Sequence, residues 1–181
     1  MPPSTRQQLA TRLVVADWII EPLSKSHDRD GFSCGMPQLD EFIRTRVSQY
    51  EERKLGRTFV AIAIDSRKVL GYYTLASGAV SFEHLPTNAS RKLPKHPIPV
   101  ILLARLAVDL SSCRQRLGEG LLLNTLQRSL DLSVELGVHA VEVDAIDDSA
   151  ADFYRKYGFV PLLDNPLHFY MPMATIEKAL G

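Results

Sequence analysis

The stretch from Val100 to Gly137 constrains this chain most: a nearly unbroken apolar run (VILLARLAVD), then a loop with two glycines, then a leucine stripe. An apolar run of that kind is expected of a strand covered on both faces. Beyond the loop, Leu121, Leu122, Leu126, Leu130 and Val134 recur on one stripe, which predicts a helix over 117–136 with Gly137 as its C-cap.

The remaining segments read as further alternating elements. Trp18 to Leu23 is a short first strand. Pro37 suits a first helical turn, after which Leu39, Phe42, Ile43, Val47 and Tyr50 recur at helical spacing while Asp40, Glu41, Arg44 and Ser48 face outward. Thr58–Ile64 and Val69–Val80 are rich in β-branched and aromatic residues and form an antiparallel hairpin across a short polar connection. Ser81–Pro99 holds four prolines and is expected to be a long loop with one helical turn. Val138–Ala145 is a strand, Ser149–Tyr157 a short helix stopped by Gly158, and His168–Met173 a last strand. These elements predict one α/β (α+β) domain over 1–181, built on a mixed sheet, with 1–12 as a flexible lead-in.

Composition narrows the function classes. Lys and Arg number 21 and so do Asp and Glu, so overall charge gives no reason to expect nucleic-acid binding; a local basic surface would be needed. Cys34 and Cys113 match no metal spacing and read as reduced thiols, with Cys34 a small packed residue rather than a nucleophile. The N-terminus has no apolar signal core, and Arg105 interrupts the apolar run well short of a membrane span. A cytoplasmic protein without membrane contact and without a metal is expected.

The chemistry concentrates in the loop Arg114-Gln115-Arg116-Leu117-Gly118-Glu119-Gly120. Glycines let backbone approach a ligand closely, and N–H groups at a helix start lack intrahelical partners and carry the positive dipole end. Such a loop suits a phosphate or pyrophosphate. It is neither a Walker loop, since no Lys-Ser/Thr pair follows, nor the dinucleotide G-x-G-x-x-G fingerprint. From the glycines alone, an anion site and a merely relaxed helix start stand equally.

The pattern Q-x-x-G-x-G after a strand ending A-V-D resembles the coenzyme A motif of the GNAT acyltransferase superfamily, with Gln115, Gly118 and Gly120 at its fixed positions. The resemblance implies the GNAT fold, a mixed, mostly antiparallel twisted sheet flanked by helices. It further implies acetyl-CoA as co-substrate. The loop N–H groups from Arg114 through Leu117, Gly118, Glu119 and Gly120 would hold the pyrophosphate, with Arg114 and Arg116 adding charge. The backbone of Leu106, Ala107 and Val108 would meet the pantetheine arm. Downstream, Asp147 to Phe159 resembles the superfamily's N-x-x-A-x-x-F-Y-x-x-x-G-F signature through Ala150, Phe153, Tyr154, Gly158 and Phe159; Asp147 stands where asparagine is commoner. In many members the tyrosine matching Tyr154 is a general acid toward the departing thiolate. A packing tyrosine is the alternative. Glu142 and Asp144 share one face of a strand, but the sequence assigns no base, and an α-amine near pKa 7.7–8.0 is partly neutral without one.

Three further runs are similar to TacT/AtaT-type toxins of bacterial type II toxin–antitoxin modules: Phe32-Ser-Cys34-Gly35 with Leu39-Asp40-Glu41-Phe42, Gly71 to Ala79, and Pro97 to Asp109. This resemblance implies acetylation of the α-amine of aminoacyl-tRNA, a homodimer, and a ribbon-helix-helix antitoxin. Arg91, Lys92, Lys95 and Arg105 would then touch the substrate, within a wider basic set of Arg44, Arg46, Arg53, Lys54 and Arg57. A housekeeping acetyltransferase of a small amine or protein, and a silent acyl-CoA- or partner-binding module, are the competing readings.

Overall fold

The computed structural model describes residues 17–181, so the expected lead-in over 1–12 lies outside the described residues. Its strands form a seven-stranded sheet in the order β1-β2-β3-β4-β5-β7-β6. They are β1 (Trp18–Pro22), β2 (Arg57–Ala63), β3 (Val69–Val80), β4 (Ile98–Val108), β5 (Ala140–Asp144), β6 (Val160–Pro161) and β7 (His168–Pro172). The β1/β2, β2/β3, β5/β7 and β6/β7 pairs are antiparallel, and β4/β5 is parallel. The chain divides into two compact units: residues up to Ala76 with Arg105–Thr125, and Ser77–Ala104 with Leu126–Ala179.

In the first unit the hairpin β2/β3 forms as its β-branched content predicts, with β1 added at Trp18↔Ala63 to Pro22↔Phe59. The helical segment begins at Pro37 and runs as α1 (Pro37–Glu41), a π-helical stretch (Phe42–Arg46) and α2 (Val47–Glu52). The π closure joins the Val47 N–H to the Phe42 carbonyl, an i to i−5 bond that brings these residues onto one face. Phe42, Ile43 and Val47 all bury there with Phe32, Val60, Ile62, Val69, Tyr72 and Ala107. Asp40 corrects the expectation of an outward face: it is buried, and its carboxylate accepts the Cys34 N–H at 2.8 Å. A buried carboxylate needs such a donor.

Gly71 shows why the first unit closes. A Cβ there would stand 2.9 Å from Leu121 Cδ1 and 3.2 Å from the Ala107 carbonyl, so only glycine lets the long helix seat against β3. Asp109, just past β4, accepts from the N–H groups of Ser33 and Ser111 at 2.9 and 3.0 Å. Burial raises its pKa, but these hydrogen bonds outweigh that and hold it below the usual range.

In the second unit β4 and β5 pair from Val100↔Ala140 to Leu103↔Val143. One face carries Val80, Leu85, Ile98, Val100, Ala140, Leu162 and Tyr170 as a core. The expected single helical turn in 81–99 is α3 (Thr87–Ser90). The long helix is α4 (Leu117–Leu132), four residues shorter at its end than the leucine stripe predicts. Val134 is 84% exposed and so leaves the stripe. Ser133 bonds the Leu130 carbonyl through its hydroxyl, and Ser133 and Val134 are weak helix formers, so tight turns replace the last helical turn. Four short elements escape the sequence reading: β6, a terminal helix α6 (Met173–Leu180) and 3-10 turns at Phe82–His84 and Leu110–Ser112. The remaining helix, α5 (Asp148–Lys156), matches its expected span within one residue at each end.

Candidate active site

In the first unit β4 ends at Val108 and α4 begins at Leu117, so the suspected anion loop is the connection between them. Gly118 and Gly120 lie within the first turn of α4, and neither has positive φ; Arg114 (φ 66) and Arg116 (φ 62) do. Each such left-handed non-glycine residue costs roughly 1–2 kcal/mol. Strain of this kind persists where the surrounding structure enforces it, and it concentrates at functional sites. With Gln115 between them at negative φ, the sign alternates along the turn, as it does in backbone nests that bind anions. The turn runs into the positive end of a sixteen-residue helix.

Side chains around the loop have distinct jobs. Leu117 is buried and anchors the helix start. Arg116 Nε lies 3.4 Å from the Glu119 carboxylate, which holds the turn to the helix. Gly120 sits beside the Trp18 indole, 3.6 Å from Nε1 to where a Cβ would be. Leu106 and Val108 are half-buried around the buried Ala107.

In the second unit, Asp147 is the N-cap of α5: its carboxylate accepts the Ala150 N–H at 2.8 Å from an extended backbone. Gly158 (φ 96) ends the helix in the left-handed conformation, and the Phe159 N–H returns to the Tyr154 carbonyl at 3.1 Å. That return places Phe159 edge-on to Tyr154 at 5.5 Å, and Phe153 is also edge-on to it at 5.3 Å. The motif is thus a clamp on one aromatic ring. Replacing Asp147 with Ala should cost about 1 kcal/mol through loss of the cap, read as a lower midpoint in denaturant unfolding; an unchanged midpoint would remove the cap from this account.

Tyr154 is only 6% exposed, and burial raises its pKa, so the phenol stays protonated at neutral pH. The two fully buried tyrosines of the first unit have protein acceptors: Tyr72 donates to the Leu39 carbonyl and Tyr73 to Asn124 Oδ1. Tyr154 has no hydrogen-bond partner among the described residues. Its ring is packed against Phe153 and Phe159 while its hydroxyl is not fully enclosed, so the donor is open to a ligand.

The basic candidates separate. Arg105 lies 3.6 Å from the centre of the Phe42 ring and 5.2 Å from that of Tyr50, a cation–π seat that leaves its N–H edge for an anion. Arg91, Lys92 and Lys95 are exposed and pair with no carboxylate among the described residues. Arg46 and Arg57 are paired with Glu41 and Glu51, and Arg44 donates to the Phe32 carbonyl, so these three act chiefly within the fold. Cys34 is half-buried with its thiol pushed up to about 11 by burial and by Asp40, unsuited to nucleophilic work. Sequence reasoning misses the network of His168 with Glu142 and Asp164, because only the β5/β7 register brings residues so far apart together.

No family model matches the chain. A tRNA-acetylating toxin of Mycobacterium tuberculosis (strain ATCC 25618 / H37Rv) is 35% identical over 159 residues, covering 88% of this chain and 94% of that protein. This chain belongs to the tRNA-acetylating toxin family. A probable toxin TacT of Sinorhizobium fredii (strain NBRC 101917 / NGR234) is 31% identical over 172 residues, 90% of this chain and 95% of that protein. Among solved structures, AtaT complexed with acetyl-methionyl-tRNAfMet superposes with a TM-score of 0.85 at 30% identity, over 91% of this chain and 100% of that one. A mutant of the AtaT toxin has also been solved bound to the C-terminus of the antitoxin AtaR and acetyl-CoA. The toxin fold expected from the motifs, a GNAT-type mixed sheet with flanking helices, is the one this family has.

Proposed function

We propose that this protein is a cytoplasmic toxin that transfers the acetyl group of acetyl-CoA to the α-amine of aminoacyl-tRNA. Acetylation removes the nucleophile that peptide-bond formation needs, so the modified tRNA is lost to elongation. The observation that carries the reading is the unpartnered, ring-clamped Tyr154 hydroxyl in a chain of this family. The AtaT complex with an acetylated aminoacyl-tRNA supports the substrate class.

The Arg114–Gly120 turn would cradle the acetyl-CoA pyrophosphate through backbone N–H groups and the helix dipole. The neutral α-amine attacks the thioester carbonyl, a tetrahedral intermediate forms, and the thiolate departs. Free thiols have pKa near 8.5 and Tyr154 lies above 10, so complete proton transfer from phenol to thiolate runs uphill. Tyr154 therefore acts by donating a hydrogen bond to sulfur as charge develops there, an interaction strongest in the transition state.

Arg91, Lys92 and Lys95 would meet tRNA phosphates, with Arg105 on its aromatic seat as a further anion contact. Replacing the three loop residues with Ala should flatten the salt dependence of tRNA binding by roughly 0.7–0.9 in log–log slope for each phosphate left without its cation, with acetyl-CoA affinity unchanged. An unaltered slope in a filter-binding titration would place the tRNA elsewhere. The AtaR complex supports an antitoxin partner, a ribbon-helix-helix protein by resemblance, and a homodimer completes the proposed assembly.

The function is tested by supplying labelled acetyl-CoA with charged or uncharged bulk tRNA. Label that appears only with charged tRNA, and is lost on mild alkaline deacylation, is expected. Equal labelling of uncharged tRNA or of protein would overturn the assignment.

A further inference from the structure

The alternation of β5 sorts its side chains to two faces. Val141 and Val143 lie opposite Met171 and Phe169 of β7. Met171 contacts the Gly158 end of α5, and the Arg155 guanidinium lies over Phe169. Ala140, Glu142 and Asp144 therefore project from the face that α5 does not cover.

Glu142 is 8% exposed on that face. Its Oε1 accepts from His168 Nε2 at 2.5 Å, while His168 Nδ1 lies 2.9 Å from Asp164 Oδ2. Burial works against charge on His168, but the hydrogen bonds to Asp164 and Glu142 outweigh it and raise its pKa. An imidazolium with both N–H groups engaged fixes the ring and, through it, the Glu142 carboxylate. The other ionisable groups at the network are Asp144, 3.9 Å from His168 Nε2, and His84, 3.7 Å from Asp164.

Oε2 of Glu142 has no hydrogen-bond partner among the described residues. It faces Gly78 of β3, where a Cβ would stand 3.1 Å away. Tyr170, directly opposite Glu142 in the β7 register, is 3% exposed and its hydroxyl likewise has no protein acceptor among the described residues. Ala104 is exposed although β4 is an inner strand, and the β4/β5 pairing stops one residue before it. A buried carboxylate with one open oxygen thus borders a part of the sheet kept shallow by a glycine and an alanine. Oε2 is not fully enclosed, so solvent reaches it and an incoming N–H can take the solvent's place.

We propose that Glu142 Oε2 receives an N–H of the acceptor's amino group, orients that amine for attack and accepts the proton it releases, with His168 as the positioning residue. This assignment rests on the acetyl-transfer reading above. The new N–C bond forms as the C–S bond breaks. One proton passes from nitrogen to Glu142 and on to water, and the departing thiolate takes one up from water, so none is consumed overall. A carboxylate suffices as acceptor because nitrogen becomes strongly acidic once bonded to the tetrahedral carbon.

The test compares wild type, Glu142→Gln, Gly78→Ala and His168→Gln, using labelled acetyl-CoA and charged bulk tRNA, with thermal melts and acetyl-CoA affinity measured alongside. Gln is close to isosteric and should lower kcat about 100-fold, leave acetyl-CoA affinity within about twofold, and recover part of the rate at higher pH, where less of the amine is protonated and hydroxide can take the proton. Gly78→Ala leaves the Glu142–His168 pair in place but crowds Oε2, and should raise KM for charged tRNA about tenfold at unchanged acetyl-CoA affinity. His168→Gln should lower kcat less than Glu142→Gln does and show the same recovery at high pH. Wild-type labelling with kcat of Glu142→Gln and KM of Gly78→Ala both within twofold overturns this inference alone. A wild type that labels no charged tRNA overturns the proposed function and this inference with it.

Discussion

Replacing Tyr154 with Phe is expected to lower kcat about 10²–10³-fold while acetyl-CoA still binds with near wild-type affinity. The ring is held by Phe153 and Phe159 and by the helix end at Gly158, none of which needs the hydroxyl. Phe therefore fills the same volume, and stability should change by less than about 1 kcal/mol, since no protein hydrogen bond is broken. The missing donor matters only as sulfur gains charge. A charge-assisted hydrogen bond is worth about 1.5–3 kcal/mol in this setting, and general-acid contributions reach about 10²–10⁴. Because the phenol is a weaker acid than the thiol, the lower half of that range is the appropriate one. Kinetics and calorimetry on the same preparation check it: a loss of cofactor affinity that accounts for the lost rate would assign Tyr154 to binding instead.

Gly118→Asp should separate binding from folding in the opposite sense. Gly118 is in the first turn of α4, where a carboxylate favours the helix dipole and Asp is a better helix former than glycine. The fold should be as stable as wild type or more so, by up to about 1 kcal/mol. For acetyl-CoA the same carboxylate is a like charge placed against the pyrophosphate. At a separation of ~4 Å and an effective dielectric of ~20 the repulsion is about 4 kcal/mol, roughly a 10³-fold loss of affinity. Unchanged affinity would remove the Arg114–Gly120 turn from the cofactor site. A loss of affinity accompanied by a loss of stability would leave the turn a structural role only.

Much of the fold is legible in the sequence because its signals are local. The β-branched runs of β2 and β3, Pro37 at the start of α1, and Gly158 after α5 each act within a few residues, and each element forms where expected. What the sequence hides depends on tertiary closure. The π stretch at Phe42–Arg46 answers the need to bury Phe42 and Val47 on one face, and no propensity reports that. Val134 continues the leucine stripe in sequence but stands in solvent, since the helix ends before reaching it.

At the site, resemblance picks out the segments, and the structure shows what their residues do within the fold. The glycines of the loop are ordinary helical residues, and the left-handed backbone belongs to Arg114 and Arg116. Asp147, Gly158 and Phe159 read as cofactor-motif residues but form the cap, stop and clamp that hold Tyr154. The F-x-C-G, L-D-x-F and A-V-D runs are joined by Asp40 and Asp109 bonding the backbone at Cys34 and Ser33. In sequence Glu142 is only one carboxylate of a strand. Its partner His168 becomes visible once the β5/β7 register is known.

The central claim is tested most directly by mass spectrometry of aminoacyl-tRNA 3′ ends after brief induction of the wild-type chain, with Tyr154→Phe as the control. Wild type should give N-acetylaminoacyl-adenosine after nuclease digestion, at a level that tracks growth arrest, and the Phe variant should give neither. Growth arrest without acetylated aminoacyl ends, or equal acetylation by the Phe variant, would contradict it.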